Sequence, residues 1–294
     1  MKKVAAVVVT YNRIELLKEC LNALKVQSYP CDILVVDNAS IDGTGEYIKA
    51  IKNKCDNIYY KNTGANIGGA GGFNFGMRWA VEEGYEYVWV MDDDCLPYSD
   101  ALQKLVKADG MLKGNYGWLS SIVLWKDGEL CPMNIQRKNP YKAISSFQNK
   151  IVKAEMASFV SLFIKSKKVI EYGLPIKEFF IWTDDWEFTR RISLKENCYV
   201  ISSSKVIHLM NDKYVVNIAS DSDDRLKRYK YFYRNDVYLY RREGLQGWIW
   251  LLLKDCWHIV QIVLKSKSKI KKIQIVFNGF YNGIKFKPMI EKLK

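Results

Sequence analysis

Three apolar runs in the first hundred residues each stop on polar residues, and helically spaced segments separate them. The runs are VAAVVVT, CDILVVDNAS and YEYVWVMDDDC. Short, continuously apolar runs of this kind read as strands buried on both faces. Between the first two, RIELLKECLNALKVQ places Ile14, Leu17, Leu21 and Leu24 on one helical face. GTGEYIKAIK starts a second helix, NIYYKN gives a short strand, and TGANIGGAGGFNFGMRWAVEEG passes from a glycine-rich stretch into a third helix. Beyond Pro97, Ser99 or Asp100 is placed to cap a helix through ALQKLVKADGML. Repeated strand–helix alternation predicts an α/β fold, a mostly parallel sheet flanked by helices on both faces.

A chain of 294 residues, 49% hydrophobic and 26% charged, buries a sizeable core and is not a disordered polymer. Its seven cysteines are scattered and form no CxxC pair, which argues against a disulfide framework or zinc cluster and for a reducing cytoplasm. The run from Val4 to Val9 is short for a signal-peptide core, and Tyr11, Asn12 and Arg13 end it. The charge is unevenly placed. Residues 225–294 hold 17 Lys and Arg against 4 Asp and Glu, which equals the whole net charge of +13. The sequence therefore divides into a neutral body, 1–224, and a helical basic tail, 225–294, with the boundary near Asp224. Within the tail, WIWLLLKDCWHIVQIVL is strongly apolar, and Lys254, His258, Gln261 and Lys265 form one narrow polar stripe. Lys254 and Asp255 interrupt the run, leaving it short of the ~20 apolar residues that a span needs. Lys265, Lys267, Lys269, Lys271 and Lys272 follow at once. An apolar face beside clustered lysines suits a helix lying on an anionic membrane surface. A helix buried in the body, or in an oligomer interface, is the alternative.

In open α/β sheets ligands bind beyond the carboxyl ends of the strands, so Thr10, Asp37 and Asp92 are expected to converge on one crevice. Asp37 and Asn38 alone read equally as a turn or cap. The triple aspartate Asp92, Asp93 and Asp94 is more demanding. Two carboxylates ~4 Å apart at an effective dielectric of about 20 repel by ~4 kcal/mol. A divalent cation, Mn2+ or Mg2+, relieves that repulsion and keeps coordination positions open for phosphate oxygens. Alternate residues of an extended strand end point the same way, so Asp92 and Asp94 share a focus while Asp93 faces elsewhere. The competing reading is a solvated turn. His208, at the end of a β-like run, is the natural third ligand beside such a site, whereas His258 sits in an apolar helix where packing is the simpler role.

A second acidic cluster is FFIWTDDWEFTRR, where Asp184 and Asp185 stand between Trp182 and Trp186. Desolvation by indoles raises a carboxyl pKa and suits a general base. Acids at a helix N-terminus explain Glu187 equally well, but not the two tryptophans. The glycines Gly68, Gly69, Gly71 and Gly72 do not form a dinucleotide fingerprint, and read as close backbone approach to a ligand or a neighbouring element. A nucleic-acid-binding protein would surround its binding face with positive charge, whereas this crevice is acidic. A non-catalytic sugar-binding module would need neither a metal site nor a base.

In order along the chain, VVVTYNR, LVVDNAS, NIGGAGGFNFGM, MDDDC and WTDDWEFTRR resemble the inverting nucleotide-sugar glycosyltransferases of family 2, which have the GT-A fold. HLM and YFYRND continue the pattern, so the resemblance covers about residues 1–240. Within the family, GGAGGF and the triple aspartate look most like galactofuranosyltransferases, with dTDP-rhamnose-dependent rhamnosyltransferases as the alternative. The resemblance implies that Thr10, Tyr11 and Arg13 border the nucleotide and that Asp37 addresses the uracil. It implies that Asn66 with Gly68 and Gly69 lines the diphosphate, and that Asp92, Asp94 and His208 hold the metal. Asp185 matches the catalytic base, and Trp182 and Trp186 would lie against the acceptor. Asp93, Asp184 and the Trp182 indole are the polar groups available to the sugar. The expected reaction is transfer of galactofuranose from UDP-galactofuranose, with inversion, to a lipid-linked precursor of a surface polysaccharide. Its expected place is the inner face of the cell membrane. The chain lacks the extra β-domain of the large polymerising galactofuranosyltransferases, so polymerisation is not implied.

Overall fold

The computed structural model describes residues 3–52, 55–210, 217–223 and 225–293. The first four strands, β1 (Val4–Thr10), β2 (Asp32–Asp37), β3 (Ile58–Asn62) and β4 (Tyr87–Asp92), run parallel in the order β3-β2-β1-β4. Helices α1 (Ile14–Lys25), α2 (Thr44–Lys52) and α3 (Gly68–Glu82) make the crossovers. All seven residues of β1 are buried, and its alternation sorts them onto two cores. Val4, Ala6 and Val8 meet Leu17, Leu21 and Leu24 of α1, whereas Ala5, Val7 and Val9 meet Phe73 and Met77 of α3. The glycine run lets α3 lie close against the sheet. A Cβ on Gly76 would stand 2.3 Å from Val7 Cγ1, and one on Gly72 would stand 2.5 Å from Val9 Cγ1.

Beyond β4 the sheet becomes mixed. β5 (Cys95–Pro97), α4 (Ala101–Met111) and β6 (Trp118–Leu124) come next, then the hairpin of β7 (Arg137–Asn139) and β8 (Lys142–Ala143), and β9 (Ile151–Ala154). β10 (Leu162–Lys165) runs antiparallel between β4 and β6. After α5 (Ser166–Tyr172) and α6 (Asp184–Ser193), the long strand β11 (Cys198–His208) pairs parallel with β6 and antiparallel with β5 and β9. Asp100 precedes α4, but neither it nor Ser99 caps the helix with its side chain. The Asp100 carboxylate reaches Lys104 at 2.7 Å instead. Such a pair, four residues apart on an exposed helix face, competes directly with capping.

Three further helices follow: α7 (Leu226–Tyr240), α8 (Gly244–Lys265) and α9 (Lys269–Lys285). Asp224, the sequence boundary, lies outside the described residues. α7 buries Tyr229, Tyr233, Val237 and Tyr240, and packs against α8 and α9. The chain end returns to the body, where Glu291 meets Lys177 at 2.6 Å, Arg78 at 2.9 Å and Asn74 at 3.1 Å. α8 is turned polar side in. Lys254 pairs with Asp236 of α7, and Asp255 is buried. Leu252, Leu253, Trp257, Val260, Val263 and Leu264 face outward. By length and composition, 226–265 is the one helical stretch among the described residues apolar enough to cross a membrane.

Candidate active site

The parallel register brings the carboxyl ends of β1, β2 and β4 level, with Thr10 opposite Asp37 and Val9 opposite Asp92. The chain then turns through Asp93 and Asp94 into β5. The antiparallel pairing of β5 with the end of β11 sets His208 opposite Cys95, and Leu209 N–H donates to Asp94 O at 2.8 Å. This pairing joins the histidine to the aspartates.

His208 Nε2 lies 3.0 Å from Asp94 Oδ1, and its Nδ1 lies 2.9 Å from Asn134 Oδ1. Asn134 is fixed in turn by its amide, which donates to Ser158 Oγ at 3.0 Å, and by the Cys131 thiol at 3.1 Å. An amide oxygen only accepts, so the proton sits on Nδ1 and the Nε2 position faces the carboxylate. With a neutral imidazole, Asp94 Oδ1 is a buried oxygen without a hydrogen-bond donor. Such a pair needs a cation between its two atoms. Burial alone would lower the His208 pKa, but its contacts with Asp94 outweigh that and raise it to about 10. A proton therefore fills the gap when no metal does. Carboxylate and imidazole donors suit Mn2+ or Mg2+. Cys95 Sγ is the third atom of the tight group with Asp94 and His208. Burial and the charges of Asp94 and Asp92 push its thiol pKa well up, so it stays protonated and is a poor ligand for a hard cation. Asp92 lines the same cavity, and burial followed by the Asp94 charge lifts it to about 7.

Asp93 turns away, as alternation predicts. It is buried, accepts from Thr10 Oγ1 at 2.7 Å and lies 3.4 Å from Arg13, so neither Asp93 nor Thr10 lines the cavity. Arg13 does line it, 2.9 Å from Asp94 Oδ2. Asp37 accepts from Ser40 N–H at 2.8 Å and from the Tyr60 hydroxyl at 2.6 Å, outside the cavity wall, and Tyr11 is an exposed side chain beyond it. Asn66 accepts from Gly68 N–H at 2.9 Å. Gly68 has φ +77°, and a Cβ there would stand 2.1 Å from Phe180 O. Gly69 faces open space and lines the cavity.

The cavity encloses about 520 Å³ and gathers both acidic clusters. Its far wall is the start of α6, with Trp182, Asp184, Asp185 and Trp186. Asp185 Oδ1 accepts Trp186 N–H at 2.7 Å. Burial raises the pKa of both carboxyls, Asp184 to about 6 and Asp185 well above its ordinary value, and the Asp184 charge raises Asp185 further. Trp186 stacks under Arg137 at 4.1 Å. Asn134, which ends a single 3-10 turn, and Arg137, the first residue of β7, also line the cavity; they belong to no motif, and no sequence signal marks them. α7 and α8 complete the wall with Asp236, Tyr240, Lys254 and His258, the last 3.0 Å from the Tyr233 hydroxyl.

Residues 5–110 match the glycosyl transferase family 2 pattern. An undecaprenyl-phosphate mannosyltransferase of Micrococcus luteus is 34% identical over 108 residues, 36% of this chain and 44% of the relative. The galactofuranosyltransferase GlfT1 of Mycobacterium tuberculosis is 38% identical over 96 residues, 32% of this chain and 31% of the relative. The matches thus span less than half of either relative. The structure of a mannosyltransferase from Pyrobaculum calidifontis, in complex with GDP-Man and Mn2+, aligns with 95% of this chain and 69% of its own at TM-score 0.56 and 16% identity. Residues 5–110 thus carry a glycosyl transferase family 2 domain, in a chain with a GT-A fold.

Proposed function

We propose that this protein is an inverting galactofuranosyltransferase that moves galactofuranose from UDP-galactofuranose to a lipid-linked acceptor. One observation carries the reading: a single cavity joins the Asp92, Asp94 and His208 corner to the raised-pKa carboxyls Asp184 and Asp185. The stretch that matches GlfT1 at 38% identity supports the sugar.

Asp94 and His208, with Asp92, would hold Mn2+ or Mg2+. Once bound, the ion supplies positive charge against the diphosphate and the departing UDP. Arg13 adds a cation at the same corner, and the open backbone at Gly69 lets a diphosphate approach closely. Asp185 takes the proton of the acceptor hydroxyl. That oxygen bonds to C1 of the sugar on the face opposite the nucleotide, the C1–O bond to the diphosphate breaks, and UDP leaves with the electron pair. One base and one displacement invert the anomeric centre, giving a β-galactofuranosyl linkage. Trp182 and Trp186 border the acceptor side.

The outward apolar face of α8, next to Lys265, Lys267, Lys269 and Lys271, supports peripheral attachment to the inner, anionic face of the cell membrane. A lipid-linked acceptor is presented at that surface. The Micrococcus luteus match favours a second reading, mannosyl transfer to a lipid phosphate. Incubation with Mn2+, a polyprenyl-linked acceptor and one donor at a time, followed by product NMR, decides among them. Transfer from UDP-galactofuranose supports the proposal. Transfer from GDP-mannose or dTDP-rhamnose alone rejects the sugar and leaves the class.

A further inference from the structure

The YFYRND motif of α7 has no part in the chemistry above, although it lies directly behind the α6 carboxylates. The segment leading into α6 is unusual. Phe180, Trp182 and Thr183 have φ of 66°, 65° and 69°, a left-handed conformation that side chains rarely adopt, least of all a β-branched one. Three such residues within four persist only where the surroundings over-determine them.

Asn235 provides most of that constraint. It is fully buried, and its Nδ2 lies 3.0 Å from Phe179 O, 3.2 Å from Ile181 O and 2.9 Å from Trp182 O. Two amide hydrogens are thus shared among three carbonyls of the segment, of which Phe179 O also accepts Ile181 N–H at 2.7 Å. Its Oδ1 is occupied by Arg234, at 3.0 Å from Nε and 2.8 Å from Nη2, which fixes the amide the right way round. The next residue, Asp236, accepts from Thr183 Oγ1 at 2.8 Å and pairs through its other oxygen with Lys254 of α8. On the opposite side of the segment, Phe180 O accepts Ala70 N–H at 3.2 Å, beside Gly68. The segment is held between α7 and the start of α3. Thr183, its last residue, is the N-cap of the helix that begins with Asp184 and Asp185.

We propose that Asn235 and Asp236 are positioning residues for the α6 carboxylates: they hold the left-handed segment in the one conformation that aims Asp184 and Asp185 into the cavity. This rests on the reading of Asp185 as the base. Asn235 lies off the cavity and both carboxylate oxygens of Asp236, at its wall, are taken by Thr183 and Lys254, so their loss acts on turnover and not on donor capture.

The test compares Asn235→Asp, Thr183→Val and Thr183→Ser with wild type and Asp185→Asn. Asn235→Asp keeps the volume and replaces the donating nitrogen with an oxygen that faces three carbonyls. Thr183→Val removes the hydroxyl that Asp236 holds, while Thr183→Ser keeps it. The expected result is a fall in kcat of ~10-fold or more for Asn235→Asp and Thr183→Val, with UDP affinity by calorimetry within about threefold of wild type and turnover retained by Thr183→Ser. Should Asn235→Asp fail to fold, the threonine pair alone carries the test. A folded Asn235→Asp or Thr183→Val with wild-type kcat overturns the proposal. So does a loss of UDP binding that parallels the loss of turnover. An inactive Asp185→Asn beside unaffected Asn235 and Thr183 variants rejects the clamp alone, whereas a fully active Asp185→Asn rejects the base.

Discussion

The glycine run offers a test that separates packing from ligand contact within one helix. In Gly76→Ala the new methyl would lie 2.3 Å from Val7 Cγ1 and 3.0 Å from Val36 Cγ2. Both neighbours are β-branched side chains on central strands with little rotamer freedom. Reaching ordinary contact therefore needs a shift of roughly 1 Å between α3 and the sheet. Overpacking of this kind costs ~1–3 kcal/mol, and the upper end applies because neither neighbour can rotate away. Alanine returns ~1 kcal/mol through its better helix propensity. The net loss is ~2 kcal/mol, or roughly 4–8 °C in Tm if a chain of this size behaves like somewhat smaller domains. The same displacement moves the start of α3, which carries Gly69 at the cavity, and a misplacement of ~1 Å costs up to ~10²-fold in rate. Gly69→Ala is the control, since nothing lies within 4 Å of its Cβ. It should leave the urea midpoint unchanged or raise it slightly through helix propensity, and weaken UDP-sugar binding, because the methyl occupies the face offered to the diphosphate. Urea unfolding and donor titration of the two variants provide the comparison. A wild-type midpoint for Gly76→Ala, or an equal destabilisation by Gly69→Ala, refutes the assignment.

The metal corner should depend on its buried support: Asn134→Leu, which removes the acceptor for His208 Nδ1, is expected to weaken Mn2+ affinity ~10–100-fold, measured by calorimetry on the folded protein. Asp94→Ala should abolish that binding, and full activity in EDTA would contradict the site. Asp185→Asn should lower turnover by ~10²-fold or more while UDP still binds. A base works only when ionised, and burial holds the pKa of Asp185 well above its ordinary value, so kcat should already fall with decreasing pH well above the ordinary carboxylate range. An acid limb at the ordinary carboxylate value of ~4 would show that this group is not desolvated during turnover. Trp257→Glu with Leu253→Glu should reduce flotation with anionic vesicles, and flotation equal to wild type would reject α8 as the membrane contact.

Much of the architecture was written locally. Continuous apolar runs such as VAAVVVT read as strands covered on both sides, and helical spacing between them favours parallel pairing through crossovers, so the α/β body was legible from pattern alone. The acidic clusters were visible for a related reason: adjacent carboxylates at the end of an apolar run are costly and draw notice. The sequence could not show the antiparallel insertion of β10, nor the β5–β11 register that sets His208 against Asp94, because strand pairing is chosen by the whole sheet. Asn134 and Arg137 sit in a one-turn 3-10 helix and a three-residue strand, too short for any period to carry information. The polar stripe of α8 was legible, but the direction it faces was not: amphipathicity gives a helix two sides, and only the buried partner Asp236 decides which of them turns inward. The left-handed entry to α6 was equally hidden, since Phe, Trp and Thr have no intrinsic preference for it and hold it only because tertiary hydrogen bonds from Asn235 and Asp236 outweigh the local cost.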